Sequence, residues 1–318
     1  YLKLFEKGER IPPPIKPGQL GEVVERIILV KSTDNFVIKE LFSFDSDILY
    51  HGVIGGKEIT KTKKHIYIDK KNYRVSNEVE VAFTPMENIP IMVKIENGMV
   101  QFHCPDKYYK MMPIVLKCTD KMIINNILFL KNNDKLIEIQ FNVMGNNISA
   151  SPKVVWSVEP KSSQLFSNIV YQSVLGKAYV VIPLANYHKT KNIIKAIPEL
   201  DNYKVLDAKY ENRICMFTLH DGQQYSRATI IFDEKYDKYN FKIKDGIDYT
   251  PINFITLENG VCIHITDDDA VEIFLNRIDK PDVKRIEDPS IDSTMRLSHD
   301  GTQVRFFSGN KLFTMKMK

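Results

Sequence analysis

From Gly21 onward, apolar residues fall in short β-rich runs separated by polar turns, and helical periodicity is almost absent. The runs include Arg26–Val30, Phe36–Phe42, His65–Ile68, Val79–Phe83, Leu136–Phe141 and Val154–Val158. The clearest unit is Phe254–Ile265, two apolar stretches joined at Glu258-Asn259-Gly260. Asn-Gly tolerates the positive φ angles of a tight hairpin, so this segment predicts strand, turn and strand. Many short strands at regular spacing predict an all-β fold, either a sandwich or a propeller.

A long period separates the two, because a propeller repeats a whole four-stranded blade every ~40–50 residues. Turn markers stand at Gly55-Gly56, Asn97-Gly98, Asn132-Asn133, Gly176, Asn212, Asn259-Gly260 and Asp300-Gly301, at intervals of 35 to 47 residues. The flanks agree as well: Val93–Phe102 and Ile255–His264 both read strand, Glu-Asn-Gly, strand. Seven such units predict a seven-bladed β-propeller, with six and eight blades as the alternatives. Each marker is taken as the turn between the first and second strands of its blade.

The last unit, Met295–Phe307 with Lys311–Lys316, reads as three strands before the chain stops. A fourth strand is needed to cover its edge. The donor expected is an N-terminal run, either Val23–Val30 or Phe36–Phe42. Upstream, Ile11-Pro-Pro-Pro-Ile-Lys-Pro-Gly18 cannot enter a sheet or helix, since proline lacks the N–H donor and fixes φ. Residues 1–20 are therefore expected to be an extended arm or linker, and 21–318 the propeller domain.

Leu297-Ser-His-Asp-Gly-Thr-Gln-Val-Arg-Phe306 resembles the Ser-Pro-Asp-Gly blade motif of TolB-like propellers, with His299 in place of the proline. The other units lack the Ser and Asp, so the resemblance covers one blade. No Trp-Asp dipeptide is present, the single tryptophan being Trp156, and an Asp box would need a spacing that Asp300-Gly301 does not offer.

Composition narrows the function classes. The net charge is +4 over 318 residues. The pI of 8.6 is too mild for a dedicated nucleic-acid binder, whose domain is expected to exceed ~9. Lys57–Arg74 interleaves basic residues with Tyr67 and Tyr73, which suits either a nucleic-acid patch or lysines that block edge pairing. No run approaches the ~18 apolar residues of a membrane span, and no signal peptide is visible at the N-terminus. Cys104, Cys118, Cys215 and Cys262 have no metal-ligand spacing. Cys215 and Cys262 each lie three residues after a turn asparagine, which predicts equivalent buried positions in two repeats. Reduced thiols suit an intracellular compartment or a particle assembled there.

Motifs for chemistry are sparse. Asp267-Asp268-Asp269 lacks the alternating ligands and distal glutamate of a calcium loop and reads as a polar turn. The seven histidines show no metal-binding spacing, and there is neither a nucleophile elbow nor a phosphate loop. The reading is a protein-binding scaffold propeller, without catalytic residues, metal or cofactor, working in a larger assembly. Abundant Lys, Asn and Ile with the extended arm leave a virion component of a phage or virus as one alternative. A hydrolase or lyase with its site at the channel mouth is the other. The turns between second and third strands are expected to form the binding face. They carry Lys61, Lys63, Lys64, Lys107, Tyr187, His188, Lys189 and Lys191 on one side and Asp221, Asp267, Asp268 and Asp269 on the other.

Overall fold

The computed structural model describes residues 27–31 and 35–318, without 55, 70, 77, 186–189 and 281. The proline-rich stretch and the expected boundary at residue 21 lie outside the described residues. The described residues form seven sheets, each with four antiparallel strands in sequence order, save that the last takes its fourth strand from the start of the chain. The first strands are Ile48–Ile54, Glu80–Phe83, Asp120–Ile124, Ser163–Phe166, Lys204–Glu211, Phe254–Thr256 and Arg296–His299. We call these the A strands of blades 1 to 7, with B, C and D following outward. Buried clusters join each blade to the next and blade 7 back to blade 1. The fold is an all-β, seven-bladed propeller.

Phe36–Ser43 closes the ring. It pairs antiparallel with Lys311–Met317, Phe36 opposite Met317 and Ser43 opposite Lys311, and becomes the D strand of blade 7. The other expected donor has a different role. Ile27–Lys31 runs parallel to Val283–Glu287 as a fifth, outermost strand of blade 6. A second parallel addition, Lys110–Met111 beside Asn147-Ile148, covers the outer edge of blade 3.

The clusters are unequal. Eighteen buried residues join blades 4 and 5, but only Ile48, Phe307 and Leu312 form the buried cluster between blades 7 and 1. A fully buried aliphatic or aromatic side chain contributes about 2 kcal/mol, so the closing seam must draw on something else. It draws on polar contacts. Buried His51 of blade 1 lies 2.7 Å through Nδ1 from Ser298 Oγ of blade 7, and its Nε2 is 3.1 Å from Glu58. Arg305 of blade 7 donates to the same Glu58 at 2.6 Å and to Asp300 at 3.0 Å.

All four cysteines are free and buried. Cys215 and Cys262 occupy the B strands of adjacent blades, and each faces the blade before its own.

Candidate functional site

An inner strand has no neighbour on its channel side, so its backbone groups need partners there. In this ring the partners are side chains from adjoining blades. Asn126 of blade 3 accepts from the Phe83 N–H and donates to the Phe83 carbonyl. Asn253 does the same across blades 6 and 7, accepting from Leu297 N–H and donating to Met295 O. Between blades 5 and 6, Glu211 accepts from the Thr256 N–H at 2.6 Å while Lys209 donates to the Phe254 carbonyl. The Lys209 ammonium also stands 4.8 Å from the centroid of the Phe254 ring.

Around Glu211 the ring gathers its densest charge. Lys209 Nζ lies 3.0 Å from one carboxylate oxygen and His299 Nε2 of blade 7 lies 2.9 Å from the other. Burial works against the Glu211 anion, but Lys209, His299 and the Thr256 N–H outweigh it and hold its pKa at about 2. Tyr50 of blade 1 feels the same carboxylate. It is 43% exposed yet surrounded by protein, as a group lining a water-filled channel would be. Burial first, then the negative charge of Glu211 and of Glu80, push its phenol up to about 12. Its hydroxyl folds back over Gly52, where an added Cβ would meet it at 2.6 Å. Carboxylate, lysine, histidine and phenol thus converge from blades 1, 5 and 7. Acid–base catalysis works best with a pKa near the operating pH; Glu211 stays ionised and Tyr50 stays protonated through the neutral range. The cross-blade bonds of Glu211 and Lys209 identify that pair as struts of the ring.

His51 sits between a serine hydroxyl and a carboxylate, the connectivity of a nucleophilic triad. The imidazole and Ser298 are both buried, at 4% exposure each, and Glu58 is tied to Arg305. Burial, reinforced by the charge of Arg305, lowers the His51 pKa against the pull of Glu58. The neutral ring then donates from Nε2 to Glu58 and accepts at Nδ1 from Ser298.

The expected binding residues do not share one face. Successive antiparallel strands reverse direction, so AB and CD turns emerge on one face of the disc and BC and DA turns on the other. Lys63 and Lys64 (blade 1), Asp221 (blade 5) and Asp267, Asp268 and Asp269 (blade 6) are on the BC/DA face. Lys107 lies in the CD connection of blade 2, and Lys191 lies near the start of the D strand of blade 4, so both belong to the opposite, AB/CD face. Lys61 is half-buried within the B strand Lys57–Thr62 and is not in a loop. Tyr187, His188 and Lys189 lie outside the described residues. The marker turns divide in the same way: Asn97-Gly98, Asn132-Asn133 and Gly176 are BC turns, whereas Asn212, Asn259-Gly260 and Asp300-Gly301 are AB turns.

Much of the acidic charge is already engaged. Asp267 and Asp268 lie 3.3 and 3.5 Å from Lys244, and Asp268 pairs with Arg285 at 2.6 Å. Asp269 accepts from the Ser293 N–H, and Asp221 from the N–H groups of Gln223 and Gln224. In the basic stretch of blade 1, Lys63 pairs with Asp47 at 2.5 Å and Lys57 with Asp69 at 3.0 Å. Among the described residues no cluster of His, Cys, Asp and Glu could hold a metal ion, and no helix is long and apolar enough to cross a membrane.

Along the outer edge of blades 2 and 3 the exposed side chains are of another kind. Tyr108, Met112 and Val115 in the CD connection of blade 2 and Met144 at the CD turn of blade 3 are 68%, 44%, 79% and 66% exposed. The alternation from Tyr108 to Lys117 was the available signal for them: Tyr109, Met111, Ile114 and Leu116 pack inward between those outward positions.

No protein-family model matches the sequence, and no curated protein is significantly similar to it. Solved structures are similar in fold. Hsv2 of Kluyveromyces lactis superposes with a TM-score of 0.50 at 10% identity, covering 86% of this chain and 98% of its own. Hsv2 of Kluyveromyces marxianus gives a TM-score of 0.50 at 10% identity, over 83% of this chain and 89% of its own. At that identity the likeness establishes the propeller fold alone.

Proposed function

We propose that this chain is a protein-binding propeller, a rigid disc that holds a partner within a larger assembly. The observation that carries this reading is the engagement of the channel's polar groups. Glu211, Lys209, Asn126 and Asn253 are each bonded to a neighbouring blade's backbone. Cross-linked inner strands make a stiff ring, and a stiff ring presents its loops with little ordering cost on binding. The two faces and the outer edges of the blades are the surfaces left to recognise something else.

Purification of the native, full-length chain under mild conditions, followed by mass spectrometry of whatever remains bound, tests the reading. A stoichiometric protein partner is expected. Reversing charge on one face, Lys64→Glu, or on the other, Lys107→Glu with Lys191→Glu, should release it in one case only, with unchanged melting. A chain that retains no protein partner, or that turns over a small molecule at the channel mouth, would overturn the reading.

A further inference from the structure

The connection between blades 2 and 3 is a built feature. The D strand of blade 2 is only Leu116-Lys117, because the chain first crosses to blade 3, where Lys110–Met111 adds in parallel. Backbone bonds of 2.8 Å from Lys110 N–H to Asn146 O and from Met112 N–H to Ile148 O fix the crossing. Buried Cys104 and Cys118 bracket it. Tyr109, Met111, Ile114 and Leu116 pack on the core shared by the two blades. The opposite side of the segment presents Tyr108, Met112 and Val115 to solvent, beside Met144 on the adjoining turn.

The charge around this patch has one dominant sign. Lys107 and Lys110 project from the AB/CD end of the segment and Lys117, opposite Met99, from its BC/DA end, and all three are exposed. None of the three has an ion-pair partner among the described residues. The segment's single carboxylate, Asp106, accepts from the Tyr108 N–H at 3.0 Å. On the blade 3 side no acidic residue occurs from Phe141 to Val158. Methionine and tyrosine adapt to varied apolar partners, while unpaired lysines at a rim select and steer opposite charge.

We infer that this outer edge of blades 2 and 3, from Lys107 near the AB/CD face to Lys117 near the BC/DA face, is a docking site for an acidic segment of a partner protein. The segment would carry aliphatic or aromatic anchors between its carboxylates. The inference rests on the protein-binding reading and names the surface and the chemistry of the partner. The anchors cover Tyr108, Met112, Val115 and Met144, and the flanking carboxylates meet Lys107, Lys110 and Lys117.

A displayed library of short random peptides, selected against the full chain, tests it. Enriched peptides should combine Asp or Glu with Leu, Ile or Phe. Binding of one synthetic enriched peptide, read by fluorescence anisotropy, should weaken at least about tenfold in Lys107→Glu with Lys110→Glu, and likewise in Val115→Ser alone. Melting should be unchanged in both, and added salt should weaken the wild-type complex. Selected peptides without acidic excess, no enrichment at all, or binding indifferent to both variants would overturn the proposal. So would sedimentation with phosphatidylserine vesicles that depends on these residues while no peptide is selected. A native partner that maps away from this edge would remove this docking site and leave the protein-binding reading standing, whereas absence of partner and peptide together would remove both.

Discussion

His51 and Ser298 join the first blade to the last through a 2.7 Å hydrogen bond at the seam where the ring closes. With His51 neutral, Nδ1 accepts from the Ser298 hydroxyl and Nε2–H donates to Glu58; protonation charges a buried ring and turns the serine into the acceptor. Burial holds the His51 pKa below the ordinary value of about 6.5. For a histidine with a depressed folded pKa, the stabilisation is complete above about 6.5 and is lost as pH falls through the folded value. Melting measured from pH 7.5 down to 5 should therefore decline, and His51→Gln should flatten that decline while lowering melting at pH 7.5. A variant as steeply pH-dependent as the wild type would move the effect to another group.

Glu211 tests the strut role in the opposite pH range. Its pKa of about 2 lies below the unfolded carboxylate value, so its stabilisation is present above about pH 4.5 and disappears as pH falls towards 2. Glu211→Gln leaves Lys209 and His299 without their anion, and breaking a buried pair in this way costs about 3 kcal/mol. Urea unfolding at pH 7 should show that loss, and the gap between variant and wild type should narrow between pH 4.5 and 2.

The thiols report on the equivalence of two blades. Cys215 and Cys262 are both fully buried, and burial drives both thiols well above their ordinary range. Ellman's reagent should label neither in the native protein on the timescale of minutes and both at once in denaturant. Fast labelling of one alone would break the correspondence between the B strands of blades 5 and 6.

Seven units were legible in the sequence because each blade contains at least one turn that needs left-handed backbone. The faces were not legible, and two turns show why. His220-Asp221-Gly222-Gln223-Gln224 and His299-Asp300-Gly301-Thr302-Gln303 fold alike. In each, the glycine has φ of 102° and its N–H donates to the histidine Nδ1. In each, the aspartate accepts from the N–H groups of the last two residues. Yet the first is a BC turn and the second an AB turn, so they lie on opposite faces. Local turn chemistry fixes φ and ψ and says nothing of which strand pair it closes. Counting one marker per blade survived that ambiguity; assigning Lys107 and Lys191 to the same face as Asp221 did not. Glu211 and Lys209 were missed for a related reason, since their partners Thr256 and Phe254 belong to the next blade and only the closed ring brings them together.

Ring closure gives the last prediction. A chain beginning at Asn35 keeps Phe36–Ser43 and, among the described strands, loses only the parallel fifth strand of blade 6. Asn35 itself donates from its backbone N–H to Asp288 at 2.7 Å. Burial opposes the Asp288 anion, but the bonds from Ser290 and Asn35 hold its pKa at about 2. That truncation should remain a folded monomer with a modest fall in melting. A chain beginning at Asp45 loses the only described strand paired with the outer edge of Lys311–Met317, leaving an unprotected edge in a blade whose seam with blade 1 is already thin. It also loses Phe36, a buried side chain worth about 3 kcal/mol. The expected product is aggregated or unfolded, by size-exclusion chromatography and circular dichroism. A stable monomer with native melting from the longer deletion would show that the ring does not depend on Phe36–Ser43 for its closure.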